Sequence, residues 1–118
     1  MTEDLAGLAE AFSTHRYSLV YPHLCDDVRW RTVGGDEHTG RTAVVDACEA
    51  SARYLRNVAT TFVHVAATPG DGFVVMETLA DYQEADARSR VASCDIYRFR
   101  DGCVAEITSY NVEISTSS

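Results

Sequence analysis

Apolar and polar positions alternate along this chain with two different periods, and the change of period divides it into a helical start and a strand-rich remainder. Leu5, Leu8, Ala9 and Phe12 recur at helical spacing over residues 4–14, with Asp4 and Glu10 on the wetter side. Tyr17, Val20, Tyr21 and Leu24 predict a second short helix over 16–25, with Pro22 in its first turn or kinking it. Strict alternation and β-branched residues predict a strand over Val28–Val33, and Gly34-Gly35-Asp36-Glu37 reads as a loop. A third helix follows Gly40-Arg41, its apolar side running through Val44 or Val45, Cys48, Ala52 and Leu55. Strands are expected over 60–66, 73–83, 89–100 and 103–114. Turn signals stand at Pro69-Gly70-Asp71-Gly72 and Arg100-Asp101-Gly102. Asp-Gly between two alternating runs is the strongest hairpin signal in the chain.

Helices ahead of a mostly antiparallel sheet make an α+β domain. The 118 residues suit one domain over 1–118, too short for a full dinucleotide-binding fold or an eight-stranded α/β barrel. Four long strands need cover on both faces. Helices cover one, and a homodimer through the outer sheet face would cover the other.

Composition then narrows the partners. The formal net charge is -8, which argues against nucleic acid and anionic lipid. No run approaches the ~20 apolar residues of a membrane span. Met1-Thr2-Glu3-Asp4 places acids where a leader needs positive charge, so the expected location is cytoplasmic. Cys25, Cys48, Cys94 and Cys103 form no CxxC pair. They read as small hydrophobes rather than as a disulfide scaffold or a metal site, and neither metal nor cofactor is expected. All ten basic residues are arginines, which excludes a lysine Schiff base.

Three segments carry a resemblance. Asp26-Asp27-Val28-Arg29-Trp30 resembles the acidic pair leading into the first strand of nuclear transport factor 2-like proteins. His38-Thr39-Gly40-Arg41-Thr42-Ala43 resembles their Gly-Arg helix entry, and Cys94 to Val104 their last hairpin. Together they cover nearly the whole chain and identify it as similar to the SnoaL-like and ketosteroid isomerase-like branches. The resemblance implies a cystatin-like cone: three N-terminal helices packed on a curved sheet around a cavity. The scaffold hosts isomerases, cyclases, hydrolases, dehydratases and plain binding modules, so the fold alone does not choose among them.

Alternation puts Val91, Ser93, Asp95, Tyr97 and Phe99 on one face of a strand. On the cavity side, Asp95 would lie among apolar and aromatic groups, and burial would raise its pKa. The resemblance implies an acid that donates to a developing oxyanion. The competing reading is an aspartate ion-paired to an arginine or bonded to a cavity hydroxyl. The family's general-base aspartate falls near Thr32 and its first-helix tyrosine near Leu8 or Phe12. The epoxide-hydrolase branch is matched only by Asp95, with Asn111 near the place of a second carboxylate. His64, read on the face of Phe62 and Ala66, and Tyr97 are candidate catalytic partners of Asp95. Trp30, Thr32, Met76, Thr78, Tyr82, Phe99, Ser109 and Asn111 are candidate ligand contacts, describing apolar walls with a few polar points. His38 reads as a residue of the cavity mouth, and His15 and His23 as structural or solvated. Arg41 is expected to bind local carbonyls or an acid.

Two functions therefore stand at this point. One is a binder of a small hydrophobic polyketide- or steroid-like carbonyl compound that isomerises or cyclises it through Asp95. The other is a non-catalytic ligand-binding or dimeric interaction domain of the same fold.

Overall fold

The computed structural model describes residues 4–114. Helix α1 spans Leu5–Ser13, and Asp4 caps it by accepting a hydrogen bond from the Gly7 N–H at 3.1 Å. Helix α2 spans Arg41–Leu55 and buries Val44 and Cys48, one turn apart on one side. Among the described residues six strands form one sheet, two ahead of α2 and four after it: β1 Leu24–Thr32, β2 Glu37–Thr39, β3 Ala59–Gly70, β4 Phe73–Glu84, β5 Ala87–Arg100 and β6 Cys103–Ile114. Their order is β2-β1-β6-β5-β4-β3. Only β1 and β6 are parallel.

This corrects the expected three-helix cystatin-like cone. Two α-helices lie on an open sheet whose edges are β2 and β3, and the sheet does not curl into a cone. The expected second helix is two short 3-10 turns, Tyr17–Leu19 and Tyr21–His23. Pro22 has no N–H to extend a helical ladder, and the chain is already extended at Leu24. The loop expected over 34–37 ends in β2, which pairs Arg29, Trp30 and Arg31 with Thr39, His38 and Glu37.

The Asp101-Gly102 turn forms as read. Both residues have positive φ, 52° and 82°, as a two-residue hairpin of this type requires. Arg41 donates to the Leu24 carbonyl at 3.2 Å and pairs with Asp26 at 3.2 Å, joining α2 to β1.

The cysteines depart from expectation. Cys25 and Cys103 form a disulfide across 78 residues, while Cys48 and Cys94 are free. The bond staples the first residues of the parallel pair β1 and β6 beside the Leu24–Val104 contact. Sequence spacing could not reveal it, because the pairing exists only once those two strands lie side by side. Cys48 is the buried small hydrophobe that was expected, and burial pushes its thiol up to about 12.

The core lies between the helices and one face of the sheet. Phe12, Tyr17, Val20, Leu24, Val28, Val44, Val74, Met76, Tyr97, Val104 and Ile107 are all buried there. Phe12 is its wedge, with edge-on contacts to Tyr17, Trp30 and Tyr97 at ring-centroid distances of 5.1, 5.0 and 5.9 Å.

Candidate functional site

One end of that layer is not filled. A cavity of about 430 Å³ opens between α1, α2 and the inner faces of β1, β4, β5 and β6. The strand registers explain which side chains reach it. Asp95 pairs with Met76 on one side and Ser109 on the other, and Ser93 pairs with Thr78 and Asn111. Pleating sends all six to one face. Toward the hairpin end that face meets helix side chains and closes as core. Toward the other end it stays open and is lined by hydroxyls and aromatic rings.

Asp95 is a buried wall residue of this cavity. Ser13, the last residue of α1, donates its hydroxyl to Asp95 Oδ2 at 2.7 Å. That proton being committed, Tyr97 Oη, 2.6 Å away, is the donor to Ser13 Oγ. On the other side the Trp30 indole N–H donates to Ser109 Oγ at 3.0 Å, and Ser109 hydrogen-bonds Asp95 in turn. Two relays therefore converge on one carboxyl group. No arginine lines the cavity among the described residues, so the ion-paired alternative does not apply, while the alternative of a bond to a cavity hydroxyl is met by Ser13. Burial raises the Asp95 pKa above the ordinary carboxylate range, and the hydrogen bonds from Ser109 and Ser13 oppose that rise.

The raised pKa has a testable sign. The folded chain holds the Asp95 proton more tightly than the unfolded chain. Its contribution is therefore fully present below the ordinary carboxylate value near ~4 and is lost as pH rises through the higher folded value. Asp95→Asn never carries the charge. It is expected to be more stable than the parent at neutral pH, with the gap shrinking as pH falls through that window. Urea denaturation at neutral and at acidic pH checks this; a gap independent of pH would mean that Asp95 titrates normally.

Of the expected ligand contacts, Trp30, Thr32, Thr78, Tyr82, Ser109 and Asn111 line the cavity with Asp95. Met76 and Phe99 do not: Met76 is fully buried and Phe99 packs against the core cluster. Tyr97 is also fully buried, one layer behind the wall, and reaches Asp95 only through Ser13. His64 is exposed and lies on the opposite face of the sheet. The reason is a β-bulge. Phe62 pairs with Ala80 and His64 with Leu79, so Val63 is an extra residue that reverses the alternation. Phe62 faces inward and His64 outward, and His64 is not a partner of Asp95.

Sequence reading missed the helical side of the site. Phe12, Ser13, His15, Ser51, Tyr54 and Leu55 line the cavity. A Ser-Thr-His run at the end of an amphipathic helix was the available signal. His38 sits beside Trp30, ring centroids 6.0 Å apart, and lines a second hollow that shares Trp30, Thr32, Ser51 and Tyr54 with the first.

Residues 5–107 match the family described as the SnoaL-like domain. The chain belongs to this family. Among solved structures it is similar to a nuclear transport factor 2-like protein from Cytophaga hutchinsonii. The two are 27% identical with a TM-score of 0.79, over 90% of this chain and 94% of the other. A nuclear transport factor 2-like protein from Burkholderia xenovorans gives 12% identity and a TM-score of 0.75, over 95% and 92%. An epoxide hydrolase-like structure from M. tuberculosis gives 16% and 0.67, over 94% and 84%. No curated protein matches the chain.

Proposed function

We propose that this SnoaL-like protein binds a small hydrophobic carbonyl compound of polyketide- or steroid-like shape and acts on it as an isomerase or cyclase through Asp95. The observation that carries the reading is a buried carboxyl group on a cavity wall with no arginine beside it and a raised pKa. Such a group in its protonated form donates a hydrogen bond to a ligand carbonyl oxygen. That bond strengthens as negative charge develops on the oxygen during enolisation, with the α-proton passing to water at the open end of the cavity. Ser13 and Ser109 hold the carboxyl in place, and Tyr97 and Trp30 fix those two hydroxyls in turn. The walls contributed by Phe12, Trp30, Leu55 and Val91 exclude water from the hydrocarbon part of the ligand.

The test is exchange of α-protons for deuterium in a panel of cyclic ketones, followed by NMR. Losing one oxyanion donor costs about a hundredfold or more in rate, so Asp95→Ala, which removes the donor altogether, is expected to slow exchange by about that factor. Binding of the ketones without any exchange would leave a non-catalytic binding module of the same fold, and an unchanged rate in the variant would remove Asp95 from the chemistry. A second copy of the chain is the partner proposed for the outer sheet face, where Tyr110 and Val112 are exposed.

A further inference from the structure

His15 has a backbone conformation that its side chain disfavours. Helix α1 ends in a two-bond lock: the Arg16 N–H bonds the Ala11 carbonyl at 2.7 Å, and the His15 N–H bonds the Phe12 carbonyl at 3.1 Å. This is the Schellman arrangement, whose residue just past the cap adopts a left-handed conformation and is most often glycine. Here that residue is His15, at φ 68°. A side chain with a Cβ costs strain at that position, and such strain collects at ligand sites.

The strained backbone delivers the imidazole to the cavity wall. Its ring lies 5.7 Å from Tyr17, 5.3 Å from Phe62 and 6.1 Å from Tyr82, centroid to centroid. Its Nε2 is 3.5 Å from Tyr82 Oη, a long and weak contact that leaves both groups available to a third. Burial lowers the His15 pKa, which favours the neutral ring. A neutral imidazole and a phenol can each donate and each accept. The cavity therefore has two polar stations: Asp95 with Ser13 and Ser109, and His15 with Tyr82.

We propose that His15 and Tyr82 form a second ligand-binding station, so that the ligand carries two uncharged oxygens, one for each station, on a hydrophobic frame. A carboxylate or phosphate in either position would meet no arginine on the described wall and would sit in the same cavity as Asp95. A hydroxyl or carbonyl suits both stations. The inference rests on the cavity being the ligand site, not on the chemistry assigned to Asp95.

The probes are β-naphthol, with one oxygen, and a dihydroxynaphthalene with hydroxyls at opposite ends, both followed by their own fluorescence. The protein is expected to bind the diol about tenfold more tightly, the worth of one more buried hydrogen bond. His15→Gly and His15→Asn both accept the left-handed backbone. Both are expected to keep the fold and the affinity for β-naphthol while losing the preference for the diol. Asp95→Ala is expected to weaken both probes and leave their ratio unchanged. If the preference survives both His15 variants, the second station is wrong while the reading of Asp95 stands. If Asp95→Ala leaves β-naphthol binding untouched but the His15 variants erase the preference, the reading of Asp95 falls and this one stands. Failure of the parent to bind either probe, or unfolding of both His15 variants, overturns the station and makes the ring a structural plug.

Discussion

Replacing Cys25 and Cys103 together by alanine is expected to destabilise the fold by about 4 kcal/mol, because the bond closes a loop of 78 residues in the unfolded chain. For a domain of this size that corresponds to a fall in melting temperature of roughly 15 °C. The large loop is one reason for the size of the effect, and its place is another. β1 and β6 are the only parallel neighbours among the described residues, and their register shifts between Leu24 and Arg29. The bond anchors the end beyond that irregularity, next to the Arg100–Asp27 ion pair. That ion pair is exposed and screened by water, so it cannot substitute. Thermal unfolding of the parent, the double variant and the reduced parent tests this. The variant and the reduced parent should melt together, and the unfolded, unreduced parent should present two reactive thiols, those of Cys48 and Cys94. Four reactive thiols, or an unchanged melting point, would rule the bond out as a stabilising element.

The same bond marks the limit of what the residue pattern could reveal. Local periodicity reports which face a residue occupies within one element. It therefore found α1, α2, five of the six strands, the Asp101-Gly102 turn and the strand face that Asp95 shares with Val91, Ser93, Tyr97 and Phe99. It reports nothing about which elements become neighbours, so the Cys25–Cys103 pair and the convergence of Ser13 and Ser109 on Asp95 lay outside its reach. Alternation also fails wherever one residue is inserted: Val63 bulges from β3, and every inference about His64 reverses at that point. The three-residue β2 is too short for any period to register. Pro22 was visible, and its meaning as the end of helical structure depended on the strand that begins at Leu24. His15 escaped for another reason. Its importance lies in a positive φ, which is ordinary for glycine and unexpected for histidine, so the letter at that position argued against the conformation it adopts.

Phe12→Ala is expected to cost about 3–5 kcal/mol, a large share of the stability of a small domain. The ring is buried against Tyr17, Trp30 and Tyr97, three aromatic side chains from three different elements. Removing it deletes all three edge-on contacts and leaves a hole that those rings cannot refill without moving. The functional consequence follows from chain order. Ser13 and His15 come directly after Phe12, and Trp30, which Phe12 supports, fixes Ser109. Loosening α1 thus releases both polar stations of the cavity at once. Phe12→Leu preserves most of the volume and is expected to cost less than about 1.5 kcal/mol, which separates packing from the identity of the ring. Urea unfolding gives the two stabilities, and β-naphthol affinity reads the site in variants that are still folded. In Phe12→Ala, affinity should fall even at temperatures where the protein remains native. Retained affinity at reduced stability would mean that the wedge serves the core alone and that Ser13 and His15 are held by the closing turn of α1.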